Sequence, residues 1–411
     1  MAAFDDDRRR RSRMNRIPWP RLALLWLAGV DLRITLLAVP PLLPLIHRDL
    51  PLDETAVAAL LGLPVLLLAM AATLGSMIIS RFDARRTVIL GLVLLGASSA
   101  LRGVGPSLTM LFAMTLVMGA SVAIIQPALP ALVYHWAPNH VGVATAVYSN
   151  GLLIGELIGA GLTTQLAVPL TGSWPHALAF WSIVPLVTAP ILWRLTPALG
   201  AVEASERPRW LPDFHRGLTW QLGLIQAGGG TIYFGANAFL PDYLHHAGAA
   251  RLIAPSLLWL NAAQLPASIA IALRPGWFVG RRGPVQAMAP LAAAGLCVFF
   301  IPHDWARMVG AGMLGFAAAF AFVLSLAFPP LLAETPGDVY RISAGMFTIG
   351  YGLAFLVPLI GGAAWDRTGI AAASLAPVAI GALCLLLAPW GLRIEGRAPN
   401  LHAEATAQAM S

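Results

Sequence analysis

Lysine is absent from this chain, and charge of either sign is scarce: 11% of residues are charged, against about 25% in an ordinary soluble domain. That shortage excludes a conventional solvated fold and places most of the chain in lipid. Cysteine is nearly absent as well. Cys297 and Cys384 both fall in apolar runs, which excludes a disulfide framework. No loop carries a serine–histidine–acid set or a paired carboxylate, and the segments between apolar runs are too short to build a catalytic domain. No enzymatic activity and no cofactor are therefore expected. The nine histidines sit at span ends, loops or tails. His245 and His246 are adjacent but have no evident third ligand, so no metal site is expected.

Apolar residues fill the space that charge leaves, at 58% of the chain, with a mean hydropathy of +0.74. Runs of about 20 apolar residues separated by short polar breaks are the pattern of membrane-spanning helices. They predict twelve spans, at 22–46, 55–79, 87–104, 107–135, 141–168, 176–195, 219–244, 252–273, 285–301, 305–332, 340–365 and 370–393. The expected class is an all-α membrane protein. The first run is interrupted by Asp31 and Arg33 and ends in VPPLLP. It reads as a span that stays, not as a removable leader.

Every one of the 26 basic residues is an arginine. With both ends of the chain on the cytoplasmic side, twenty fall there (Arg8 to Arg21, Arg81, Arg85, Arg86, Arg194, Arg207, Arg209, Arg216, Arg274, Arg281, Arg282, Arg341, Arg393, Arg397). Five fall outside: Arg48, Arg102, Arg251, Arg307 and Arg367. This is a strong positive-inside bias, and an odd number of spans would destroy it. The net charge of +7 is thus a topology signal. A nucleic-acid role would need an aromatic–basic patch outside the membrane, and none is present. The N-terminal DDDRRRRSR reads as a solvated anchor beside the bilayer.

The longest internal polar segment follows span six and divides the chain. The expected organisation is a tail at 1–20, a six-helix bundle at 21–195, a cytoplasmic linker at 196–218, a second bundle at 219–393 and a tail at 394–411. The halves echo each other. Span four ends in QPALPALV and span ten in AFPPLLAE, and VPPLLPLI of span one answers FLPDYL of span seven. Such internal repeats are expected of transporters.

Three charges lie well inside predicted spans: Asp31, Arg33 and Glu156. Arg33 lies roughly 15–18 Å along its helix, near mid-bilayer. A charge there costs at least about 2.5–3.5 kcal/mol, so it usually faces a bundle interior or a water-filled cavity. Asp31 and Arg33 are about 200° apart around a helix and cannot face each other. Asp31 shares a face with Thr35, and Glu156 is the nearest partner by type for Arg33. Span five aligns Thr145, Ser149 and Glu156 on one stripe, with Gly151, Gly155 and Gly159 beside it. The glycines suit close helix packing. Glu156 suits either an ion pair or a proton carrier, since a carboxyl out of water can exchange a proton at ordinary pH. The second half contributes neutral groups: Gln226, Tyr233 and Asn237 on span seven, Asn261, Gln264 and Ser268 on span eight, and Tyr351 on span eleven. These, with Gln126 of span four, face either a cavity or another helix.

Two six-span halves with an arginine-rich loop after span two resemble the major facilitator superfamily. The loop MIISRFDARR (77–86) keeps the signature's final Arg85 and Arg86. Met77 stands where the signature has glycine and Arg81 where it has aspartate, with Asp83 as the substitute carboxylate. GRRG (280–283) is what remains of the signature in the second half. LRITLLAVPPLLP (32–44), AALLGLPVL (58–66), ASSALRG (97–103), AIIQPALPALV (123–133) and GYGLAFLVPLIGGAAWDRTG (350–369) are similar, in order, to the cyanate/2-nitroimidazole transporter family. The resemblance implies two pseudo-symmetric six-helix bundles, and Arg33 and Gln126 as cavity residues.

The expectation is a multi-pass, monomeric secondary transporter of the bacterial inner membrane. It moves a small anionic or electron-rich organic solute by alternating access, with H+ as the coupling ion. Solute contacts are expected from Arg33, Asp31, Gln126, Ser149, Tyr233, Asn237, Asn261, Gln264 and Tyr351. Proton handling is expected from Glu156 or Asp31, and gating from Asp83, Arg85 and Arg86. An efflux antiporter of the same superfamily and a non-transporting membrane sensor are the alternatives.

Overall fold

The computed structural model describes residues 17–50, 54–105, 107–196 and 211–392. Most of the N-terminal tail, the centre of the linker and the C-terminal tail lie outside the described residues. Helix α1 is Trp19–Leu37, opened by proline in its first turn. It stops well short of the predicted Ile46, because Pro40 and Pro41 cannot continue it. The chain turns there through Pro40–Leu42 into the short helix Leu43–Asp49.

Helix α2, Glu54–Leu101, covers predicted spans two and three. At about 1.5 Å per residue it would run roughly 70 Å if straight, far beyond a 30 Å hydrocarbon layer. It folds back at Asp83, whose φ of 62° and ψ of 162° are non-helical. Aspartate is among the few residues that tolerate positive φ. Its Oδ1 accepts the Arg86 N–H at 2.9 Å, so the residue that breaks one helix caps the next.

The remaining long helices of the first half are α3 (Leu108–Trp136), α4 (Val141–Leu162) and α5 (Trp174–Leu195). Those of the second half are α6 (Gly217–His246), α7 (Ile253–Ala262), α8 (Gln264–Leu273), α9 (Met288–Phe299), α10 (Asp304–Leu332), α11 (Pro336–Thr368) and α12 (Ala376–Leu387). Predicted span eight is thus two helices meeting at Ala263. Among the described residues, nine helices are long and apolar enough to cross a membrane. Predicted spans two, seven and nine are helical too but fall outside that group.

Each half packs on itself and meets the other chiefly where α2 and α3 lie against α11 and where α4 lies against α8. At one end the halves touch. A Cβ on Gly142 of α4 would lie 2.8 Å from Pro275 and 2.9 Å from Val279.

The glycine stripe of α4 decides where Arg33 sits. A Cβ on Gly155 would lie 3.0 Å from the Val30 Cα and 3.1 Å from the Arg33 Cβ. Gly151 and Gly159 press equally on Trp26 and Ile34. Only hydrogen fits, so α1 and α4 lie backbone to backbone and Arg33 comes beside Glu156. Gly155→Val is expected to cost about 1–3 kcal/mol or more by overpacking. This should be read as a lower thermal midpoint of the purified protein. Gly161→Ala on the same helix, with nothing within 4 Å of a Cβ, should leave the midpoint in place.

Candidate functional site

Arg33, near the C-terminal end of α1, is the centre of a polar cluster buried between the halves. Its Nη1 lies 3.3 Å from Glu156 Oε1, and the two side chains are only 8% and 12% exposed. Its Nη2 donates to the Tyr351 hydroxyl at 3.4 Å, and Gln126 Nε2 donates to the same oxygen at 3.0 Å. Arginine and glutamine come from the first half and tyrosine from the second.

A second chain of bonds runs from Glu156 into the opposite half. The Tyr233 hydroxyl reaches Asn261 Oδ1 at 3.0 Å and has Glu156 Oε2 at 3.5 Å as an alternative acceptor. Gln264 Nε2 donates to Asn261 Oδ1 at 3.1 Å. Asn237 Nδ2 binds the Tyr233 carbonyl, which orients the helix backbone and not the hydroxyl. Behind Gly350, Gln226 accepts from the Ser325 hydroxyl. Arg33, Glu156, Tyr233, Gln264 and Tyr351 line a cavity walled by Gly229, Gly230 and Phe322.

Other predicted residues stand elsewhere. Asp31 is 0% exposed and points behind α1 toward Thr188 of α5, with neither carboxyl oxygen hydrogen-bonded. Thr35 does not serve it, because that hydroxyl turns back to the Asp31 carbonyl at 3.2 Å. Ser149 is fully buried and its hydroxyl has no partner, but it does not line the cavity. Arg102, at the end of α2, is 1% exposed and donates to Thr35 O at 2.8 Å and Ser99 Oγ at 2.9 Å.

At the closed end, Asp83 pairs with Arg86 at 3.5 Å. Arg85 reaches across to the end of α5, donating to Thr196 Oγ1 at 2.7 Å and to the Trp193 carbonyl. One bridge escaped sequence reasoning. Trp26 Nε1 donates to Asn150 Oδ1 at 3.0 Å, and Asn150 Nδ2 donates to Ser268 Oγ at 3.2 Å, tying α1 and α4 to α8. An asparagine in an apolar run was the available signal. Asp338, one of an acidic pair with Glu334 near the start of α11, caps its own helix with Thr335 and meets Arg216 and Arg341 at 3.9 and 3.8 Å.

Comparisons with known proteins agree with this architecture. The family model described as Major Facilitator Superfamily matches residues 25–355. The cyanate transport protein CynX of Escherichia coli (strain K12) is 27% identical over 352 residues, covering 83% of this chain and 88% of that one. The 2-nitroimidazole transporter of the same organism is 27% identical over 391 residues, covering 90% and 94%. Among solved structures, the human organic anion transporter MFSD10 superposes with a TM-score of 0.73 at 17% identity, covering 91% of this chain and all of that one. The Escherichia coli fucose:proton symporter FucP superposes with a TM-score of 0.68 at 16% identity, covering 90% and 97%.

Proposed function

This chain is a transporter of the major facilitator superfamily, and on that premise we propose that it carries a small anionic or electron-rich organic solute across the inner membrane together with a proton. The observation that carries the reading is Arg33, a buried cation held in a cavity by Glu156 of its own half and Tyr351 of the other. A charge that deep marks a solute or ion pathway. Its position between the halves lets a bound solute bias their rocking, as alternating access requires.

The charge balance supplies the coupling. Arg33 and Glu156 together are neutral. An anion added beside them leaves one uncompensated negative charge. Two negative charges about 5 Å apart repel by roughly 3 kcal/mol at an effective dielectric near 20. A proton on Glu156 removes that penalty, so solute and proton favour each other. Asp31 lies behind α1, off the cavity wall, which leaves the coupling role to Glu156. The arginine asymmetry sets both ends of the chain on the cytoplasmic side, and the touching ends of the halves then close the path to the cytoplasm. The cavity is built within one chain, so a monomer suffices.

The test is flux into proteoliposomes for a panel of cyanate, small heteroaromatic carboxylates and 2-nitroimidazole. An acid-outside gradient is expected to drive accumulation of at least one of them, and a protonophore to abolish it. Absence of flux for every class, or flux indifferent to the gradient, contradicts the reading.

A further inference from the structure

The two halves carry corresponding basic loops, and the fold neutralises only the first. There, Arg86 pairs with Asp83 at 3.5 Å, and Arg85 donates to Thr196 Oγ1 at 2.7 Å and to the Trp193 carbonyl. In the second half, the stretch joining α8 to α9 carries Arg274, Arg281 and Arg282, all exposed. No aspartate or glutamate occurs between Arg251 and Asp304. Among the described residues, none of these arginines has a carboxylate partner.

A groove opens beside them. Arg281 stands at its rim, and Trp277, Phe278, Met288 and Phe320 of α10 line it. Phe278 meets Phe320 edge to face, with ring centres 5.2 Å apart. The Arg274 guanidinium lies 4.8 Å from the centre of the Trp277 ring, a cation–π contact that holds a second charge at the same mouth. Trp277 is exposed, and a tryptophan at the bilayer boundary sits at headgroup level. Beyond the arginines the surface is apolar. Phe316 stacks on Phe320 with ring centres 5.7 Å apart. With Leu291 and Met313, Phe316 lines a second groove, one built from apolar residues. Met288 to Leu291 on α9 and Phe320 to Phe316 on α10 are each about one helical turn, so the two grooves follow one another along the same pair of helices.

We propose that this seam binds an anionic phospholipid of the leaflet that the loop faces, the cytoplasmic one by the arginine asymmetry. Arg281 holds the phosphate, with Arg274 and Arg282 adding charge beside it. One acyl chain lies over Trp277, Phe278 and Phe320 and runs on into the apolar groove. Basic pockets between transmembrane helices take anionic headgroups in this way. The chemistry selects a lipid over a free phosphate, because a free anion has nothing to place in the apolar part. The loop that holds the lipid also closes the molecule: Pro275 and Val279, on either side of Phe278, are the residues that meet Gly142 of α4.

Native mass spectrometry of the purified protein in a neutral detergent tests this. Dioleoyl phosphatidylglycerol and dioleoyl phosphatidylcholine share their chains and differ in net charge. An arginine near an anionic headgroup contributes about fivefold in affinity. The native protein is therefore expected to bind the first phosphatidylglycerol about 25-fold or more tightly than phosphatidylcholine. Arg281→Gln/Arg282→Gln is expected to bring the two lipids within about fivefold of each other. Ala287→Trp keeps every charge and fills the groove that Ala287 lines, and it is expected to remove the tight adduct. Arg194→Gln, which removes an exposed arginine at the end of α5, is expected to leave the preference intact. All of these positions are exposed, and an unchanged thermal midpoint in lipid-free detergent shows that each variant is folded. Equal binding of the two lipids by the native protein overturns the proposal. So does an undiminished preference in Arg281→Gln/Arg282→Gln or in Ala287→Trp, or an equal loss in Arg194→Gln. Displacement of the lipid by glycerol 3-phosphate at equal concentration overturns it too, since the site would then be one for a soluble anion.

Discussion

Arg33→Ala is expected to reduce solute uptake in proteoliposomes to the level of empty vesicles. Among the described residues, no other cation lines the cavity to replace it. The substitution also strips Glu156 of its partner, and breaking a buried ion pair from one side costs about 3–5 kcal/mol. A lower yield of the single variant would therefore be ambiguous. The double variant Arg33→Ala/Glu156→Gln removes both charges together, and replacing a buried pair with neutral groups is often close to neutral for stability. It should therefore fold and remain inactive. Arg33→Lys keeps a point charge and loses the planar fork, so it should bind solute at least about tenfold more weakly, the scale of one lost charged hydrogen bond. Uptake by the folded double variant at more than a small fraction of the native rate would show that the solute is held elsewhere.

Glu156→Gln should separate the two halves of the transport cycle. Glutamine has nearly the shape of a protonated glutamate and can still meet Arg33 and Tyr233. Solute exchange across the membrane, which needs no net proton movement, should persist. Accumulation driven by an acid-outside gradient should vanish. The sign of the pH effect follows from the charge balance. Protonated Glu156 favours the anion, so native uptake rises as the external pH falls, and the variant should be flat over the same range. Unaltered pH dependence in Glu156→Gln contradicts the assignment of the proton to this residue.

How far the site was legible differs from residue to residue. Arg33 and Glu156 stood out because charge in a lipid-length apolar run is expensive wherever it points. The glycine stripe on span five was equally open, because small residues four apart have one common use in membranes. The burial of Arg102 was not legible: it ends an apolar run, and hydropathy reads position along the chain but not the angle around it. Its guanidinium turns inward to the Thr35 carbonyl. The bond between Arg33 and Tyr351 joins residues more than 300 positions apart and has no local signal. The same holds for Asn150 bridging Trp26 and Ser268. Asp83 was read as a substitute gating carboxylate. Its positive φ also makes it the point where one long helix becomes two, a backbone role that composition does not reveal. The long reading of span one failed at Pro40 and Pro41, since lipid-length counting ignores what proline does to a helix.

The most direct measurement is solute-evoked proton movement. Proteoliposomes holding native protein carry a pH-sensitive dye inside, with equal pH on both sides and potassium with valinomycin to clamp the potential. Adding a transported solute outside should acidify the lumen in proportion to the solute taken up. Glu156→Gln vesicles, exchanging the same solute, should show no acidification. Solute entry in the native protein without proton entry, or equal acidification in Glu156→Gln, would contradict a cycle in which Arg33 binds the anion and Glu156 carries its proton.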